Sequence, residues 1–221
     1  MTPDEVLKGL YDETMVGNAP AVLELTNTGL EIGMTPEQIL FEALIPSLEE
    51  VGARFERGDY FVPEMLIAGK AMSGALDVLR PLLAQTGAET VGTFLMGTVK
   101  GDVHDIGKNL VNIMLEGAGF HVIDIGVQAA PEKFIAGIEE HKPDIVGMSA
   151  FLTTTMPMFK ANINAIEKAG LRDQVIVMVG GAPVTQEYAD VCGADGYAAD
   201  AATAVRRAKE LIAAKRASVS A

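Results

Sequence analysis

One feature constrains this chain of 221 residues more than any other: the spacing of its apolar residues changes period near residue 84. From Thr2 to about Ala84 the spacing is helical throughout, whereas beyond it short apolar runs alternate with amphipathic stretches. The first pattern predicts a helical bundle and the second a parallel sheet with helices on both faces. Between them PLLAQTGAET loses periodicity and gains turn formers, which puts a domain boundary there: residues 1–88 form a helical domain and 89–221 an α/β domain. With 49% apolar residues the chain can bury one large core or two modest ones, and length alone does not choose.

Four helices fit the first part. Thr2-Pro3-Asp4-Glu5 and Thr35-Pro36-Glu37-Gln38 each read as a threonine cap, a proline in the first turn and an acid or amide three residues after the cap. Asn18 is placed to cap the second helix ahead of Pro20, and Pro63 fits the first turn of the fourth. Gly33 and Gly58 mark helix ends. Leu40, Leu44, Leu48, Val51 and Phe55 make one stripe, and Met65, Met72, Ala75, Leu79, Leu82 and Leu83 another. Pro46, inside the third helix, removes a backbone hydrogen bond and is expected to kink it.

Charge excludes some functions. The formal net charge is −13, with acids spread from Asp4 to Glu210, so a nucleic-acid backbone would be repelled along most of the surface. MTPDEVLKGL lacks the basic and apolar regions of a secretory signal, and no apolar run reaches membrane-spanning length, so a cytoplasmic protein without a membrane partner is expected. Cys192 is the single cysteine and excludes an internal disulfide or a cysteine metal cluster. It reads as a small buried residue at a helix end. His121 and His141 have no ligand partners in their sequence surroundings and read as surface residues.

The apolar runs of the second part are VGTFLMGTV, FHVIDIG, DIVGMSA, QVIVMVGG and a brief GYAA, which predict a doubly wound, Rossmann-like sheet of five parallel strands. Such sheets bind ligands at the carboxyl ends of their strands. After the first strand comes Lys100-Gly101-Asp102-Val103-His104-Asp105-Ile106-Gly107-Lys108-Asn109, with a helix expected from about Ile106. Either Asp102 or Asp105 is close enough to hydrogen-bond one imidazole nitrogen of His104 and leave the other free, the arrangement of a metal-ligating histidine with a carboxylate behind it. A loop histidine satisfied by a helix-capping aspartate is the competing reading. The lysine-hydroxyl ending of a nucleotide phosphate loop is missing. The third strand ends in Met148-Ser149-Ala150-Phe151-Leu152-Thr153-Thr154-Thr155-Met156, a hydroxyl cluster in which Thr153 or Thr154 is placed to cap the next helix. The fourth ends in Gly180-Gly181-Ala182-Pro183, small enough for a bulky group to lie on the backbone.

Asp102-x-His104-x-x-Gly107, Ser149-x-Phe151 and Gly180-Gly181, in this order and at consecutive strand ends, resemble the three-part cobalamin-binding signature. With the four predicted helices included, nearly the whole chain resembles the corrinoid proteins of methyltransferase systems, with the cobalamin module of methionine synthase a more distant relative. The resemblance implies cobalamin bound base-off and His-on: His104 takes the lower axial position on cobalt, Asp102 stands behind it, and Thr155 continues the chain outward. Val103, Asp105, Ile106, Gly107 and Leu152 then fall to the cofactor contact. Ser149, Thr153, Gly180 and Gly181 fall to the cleft for the displaced nucleotide tail, and Ala182 to the cofactor contact. Phe151 stands where the pattern more often has leucine, and its larger ring is expected to narrow that cleft. Phe61, Met65 and Met72, on or before the fourth helix, are candidates to cover the methyl group, with plain bundle core as the alternative. The segment Gln85 to Glu89 is the expected hinge.

The implied function is methyl carriage, with cobalt cycling between Co(I) and methyl-Co(III). The chain would be a non-catalytic carrier component, loaded by a substrate-specific methyltransferase, unloaded by a second one acting on coenzyme M or tetrahydrofolate, and served by a reductive activator. A cobalamin store or sensor, or the cobalamin-binding subunit of a mutase, would use the same signature. The predicted helical cap counts against the mutase.

Overall fold

The computed structural model describes residues 1–86 and 90–219. The chain divides into two compact units, one of Met1–Glu89 with Glu116–Gly119 and one of Thr90–Leu115 with Phe120–Ala221.

The helical unit contains α1 (Pro3–Met15), α2 (Ala19–Glu31), α3 (Pro36–Ile39), α4 (Ile45–Arg57) and α5 (Val62–Thr86), with α3 and α4 joined through a π-helical turn, Leu40–Leu44. Both capping boxes form. Glu5 N–H donates to the Thr2 hydroxyl and Thr2 N–H to the Glu5 carboxylate, and Thr35 and Gln38 repeat the pattern. The expected Asn18 cap is not made: the Asn18 side-chain amide donates instead to Glu13 Oε2 at 2.7 Å, back toward the preceding helix. Gly58 ends α4 in the left-handed region. The expectation for Pro46 changes in kind. Immediately upstream the helix opens one wide turn, in which Ile45 N–H reaches back five residues to the Leu40 carbonyl. The helical run therefore stays continuous past a residue that has no N–H to give. Leu44, Leu48, Val51, Met65, Met72 and Leu79 are buried in this unit.

The second unit is a five-stranded, wholly parallel sheet in the order β2-β1-β3-β4-β5, built from β1 (Thr93–Thr98), β2 (His121–Asp124), β3 (Ile145–Ser149), β4 (Ile176–Gly180) and β5 (Gly196–Ala198). Between and after the strands come α6 (Ile106–Gly117), α7 (Pro131–His141), α8 (Pro157–Lys168), α9 (Gln186–Cys192) and α10 (Ala201–Val219). Leu95, Val146, Met148, Val177 and Val179 form one buried face with Phe134, Ile138, Phe159 and Ile163. Cys192 lies in this core at the end of α9, and burial pushes its thiol pKa up, away from nucleophilic use. From β1 the chain first adds β2 on one side and then β3 on the other, so the topological switch point, where open sheets of this kind bind their ligands, falls at the carboxyl ends of β1 and β3.

The helix α5 runs through Thr86, so the first residues of the expected hinge are helical, and residues 87–89 lie outside those described. No described helix is long and apolar enough to cross a membrane.

Candidate functional site

The loop after β1 turns at Gly101, whose φ of +85° favours glycine, and delivers Asp102 into the interior with no exposure at all. Burial by itself raises the pKa of a carboxyl group. Here it is overcome by hydrogen bonds from the His104 N–H (3.0 Å) and ring Nδ1 (2.7 Å), from the Phe151 N–H (2.8 Å) and from the Thr155 hydroxyl (2.8 Å), so Asp102 is held well below the usual carboxylate range. Leu152 N–H adds a further donor at 3.2 Å. Two loops distant in sequence thus converge on one anion. Thr155 Oγ1 is also 2.8 Å from the Leu152 carbonyl, so the threonine is positioned by its own loop while it faces the carboxylate.

An ionised Asp102 only accepts hydrogen bonds, so the Nδ1 beside it carries the hydrogen and a neutral His104 keeps its lone pair on Nε2. The ring stays 45% exposed while the carboxylate behind it is sealed. Of the two flanking acids, Asp102 is therefore the imidazole's partner, and Asp105 gives its backbone carbonyl to Asn109 in the first turn of α6. The acid that holds the imidazole does not act as a helix cap: Asp102 accepts from His104, Phe151, Leu152 and Thr155.

Several apolar side chains stand exposed around His104, beside the exposed Asp105. Val103 (58% exposed), Ile106 (61%) and Phe151 (52%) stand open, with Leu152 beside them in sequence and also exposed. The Phe151 ring stacks on the imidazole, centroids 4.4 Å apart and planes 28° from parallel, a contact that the sequence reading did not include. Gly107 is telling for a different reason. A Cβ built there meets no atom of the described residues within 4 Å beyond its chain neighbours and its own helix backbone, so no packing among them calls for glycine in an exposed first turn of α6.

Thr98, Ser149, Gly180 and Ala198 are in register across β1, β3, β4 and β5, one row of small residues at the carboxyl edge of the sheet. Sequence reasoning found Ser149 and Gly180 and missed Thr98 and Ala198, whose signal was only their place at strand ends. Thr98 also bonds the His104 carbonyl, at 3.1 Å. The glycine pair has a cause inside the fold: a Cβ on Gly181 would lie 1.9 Å from the Ala150 carbonyl oxygen, and one on Gly180 would lie 3.0 Å from that of Ala198. Ala182 follows on an exposed turn. Thr153 and Thr154 are exposed, and neither caps α8, whose cap position is Met156 without a side-chain bond. In the helical unit, Met65 and Met72 belong to the core and Phe61 is 65% exposed.

A second polar cluster was not foreseen. Lys108, buried in α6, pairs with Asp124 at the end of β2, where Asn112 and the Gly126 N–H also donate. It ties the helix that follows His104 to the sheet edge.

A lone imidazole nitrogen, tied from behind and flanked by exposed apolar side chains, suits a metal whose other positions are filled by a flat macrocycle. Among the described residues no group of three histidine, cysteine or acidic side chains is placed to build a metal cage. In comparison with known proteins, residues 92–206 match the family model described as a B12 binding domain, and residues 6–80 match a second model of that description. The chain belongs to the corrinoid-protein family. It is 41% identical to the dimethylamine corrinoid protein of Methanosarcina barkeri over 96% of this chain and 100% of that one. It is 39% identical to trimethylamine corrinoid protein 2 of Methanosarcina acetivorans over 95% and 97%. Among solved structures, the methanol:cobalamin methyltransferase complex of Methanosarcina barkeri is similar with a TM-score of 0.83 and 28% identity, over 95% of this chain and 80% of that one. The cofactor of this corrinoid protein is cobalamin, and its work is that of a methyl carrier in a methyltransferase system.

Proposed function

We propose that this corrinoid protein binds cobalamin base-off with His104 Nε2 as the lower cobalt ligand, and shuttles methyl groups from a methylated amine to coenzyme M or tetrahydrofolate. The observation that carries the reading is the Asp102–His104 pair: an imidazole aimed outward and oriented by a fully buried, hydrogen-bonded carboxylate. Thr155 and the Phe151 and Leu152 N–H groups hold that carboxylate. In this reading Val103, Ile106 and Leu152 offer apolar contact to the corrin, Gly107 leaves room for its close approach, and Ser149, Thr153, Gly180, Gly181 and Ala182 line the way for the tail. When bound, cobalamin supplies a metal centre that takes up and gives up a methyl group. The amine donor is supported by the names of the relatives, dimethylamine and trimethylamine corrinoid proteins. A substrate-specific methyltransferase, a second methyltransferase for the acceptor and a reductive activator complete the system.

The test is reconstitution with hydroxocobalamin, removal of free cofactor and visible spectroscopy of wild type beside His104→Ala. Retained cobalamin with a spectrum that changes on loss of His104 is expected. Identical spectra would remove His104 from the metal. Methylation of the loaded protein by amine-specific methyltransferases, with mono-, di- and trimethylamine and with methanol, then separates the donors, and coenzyme M against tetrahydrofolate separates the acceptors.

A further inference from the structure

Among the described residues, two other than glycine have a left-handed backbone, Lys142 (φ 46°) and Gln128 (φ 51°). Lys142 is explained by its place, since it ends α7 as a helix cap whose N–H bonds the Ile138 carbonyl. Gln128 ends no helix. It sits in the β2–α7 loop, two residues after Gly126, where the same left-handed demand (φ 79°) is met by glycine. A side chain in that region is disfavoured against the neighbouring Cβ and carbonyl, so its presence asks for a return elsewhere.

The loop is tied to the cofactor side of the sheet unit. Gln128 N–H donates to the Asp102 carbonyl at 3.1 Å, Ala129 N–H to the Thr98 carbonyl at 2.8 Å, and Thr98 N–H to the Gly126 carbonyl at 2.9 Å. Ala129 is fully buried beside Val99, whereas Gln128 is exposed. The residue is thus held one backbone hydrogen bond from the aspartate that orients His104, with its carboxamide free to reach a molecule lying on that loop. A carboxamide both donates and accepts, and the rim of a corrin ring carries carboxamide arms that do the same.

We infer that Gln128 is a cofactor-positioning residue whose side-chain amide hydrogen-bonds a peripheral carboxamide of the corrin, at a cost in backbone strain that is present before cobalamin binds. The inference rests on cobalamin lying over His104. Its test pairs two readouts on the full chain with hydroxocobalamin and, separately, with cobinamide, which keeps the carboxamide arms and lacks the nucleotide tail. Gln128→Gly relieves the strain and removes the amide that would bond the corrin. The urea midpoint of the apo-protein should rise while the dissociation constants for both corrinoids increase about fivefold to tenfold, the worth of one hydrogen bond. The His104-dependent spectrum should be unchanged. Gln128→Ala should weaken binding equally without the gain in midpoint. A Gln128→Gly protein that binds both corrinoids as tightly as wild type overturns the proposal, as does a weakening confined to hydroxocobalamin, which would assign Gln128 to the tail. A lowered apo midpoint in Gln128→Gly overturns the strain argument. Failure of the wild-type chain to retain hydroxocobalamin would instead remove the underlying cofactor reading.

Discussion

The helical unit and the β1–β3 loop cluster are assembled by opposite means. In the helical unit the decisive interactions are local: Thr2 with Glu5, Thr35 with Gln38, and the prolines and glycines at helix ends act within a turn of where they stand. At the cluster, Asp102 is bonded to Phe151, Leu152 and Thr155, 49 to 53 residues away. A local device can be removed alone, because each helix also has its buried stripe. A long-range cluster fails as a whole, since every donor deprived of the carboxylate is left buried or misdirected.

That contrast can be broken by measurement. The largest effect should come from Asp102→Asn, which turns a multiply bonded anion into an amide facing its former donors and should cost about 3–5 kcal/mol in urea unfolding of the apo-protein. A cost below about 1 kcal/mol, the range of a surface pair, would mean that the cluster is no more cooperative than a helix cap. Its pH dependence follows in sign. Because the folded-state pKa of Asp102 is lowered, its stabilisation is complete above the unfolded value of about 3.9 and is lost as pH falls below that toward the folded one. Wild type should therefore weaken below about pH 4, and its margin over Asp102→Asn should narrow there and stay constant above about pH 6.

Next in size is Thr155→Val, which keeps the shape but removes the hydroxyl and should cost about 1–2 kcal/mol, with Thr155→Ser recovering most of it. Thr35→Ala, on the local side of the comparison, should cost about 1 kcal/mol through loss of one cap. If it cost as much as Asp102→Asn, locality would not be what separates the two regions. The smallest effect on the apo-protein, and of opposite sign, is expected for Gly107→Ala, a gain of less than about 1 kcal/mol from helix propensity with no clash. Its hydroxocobalamin affinity, measured by spectral titration, should fall if the open space there serves the corrin.

Much of the molecule was legible in the chain because its signals act at short range. The switch from helical to alternating apolar periods, the two capping boxes and the five strand runs are each set by residues within a few positions of one another. The Asp102-x-His104-x-x-Gly107 spacing was legible for the same reason. Where local rules failed, the side chain was not used as its position suggested: Asn18 turned back to Glu13, and neither Thr153 nor Thr154 caps α8, while Thr155 bonds the buried carboxylate as the resemblance implied. Pro46 was readable as a disturbance, but the wide turn at Leu40–Leu44 that absorbs it was not.

By itself, then, the sequence determined the two fold classes, the positions of the strands, and the histidine with an acid at hand. The resemblance named Asp102 as that acid, and the tertiary structure supplied the reason, since Asp102 is held by donors that strand order brings from the β3 loop. Only the tertiary structure decided that Phe151 stacks on the imidazole, that Gly181 is demanded by the Ala150 carbonyl, and that Gln128 is held beside Asp102 in a backbone shape glycine would adopt more easily. Register and strand order are set by the whole sheet, and no window of a few residues contains them.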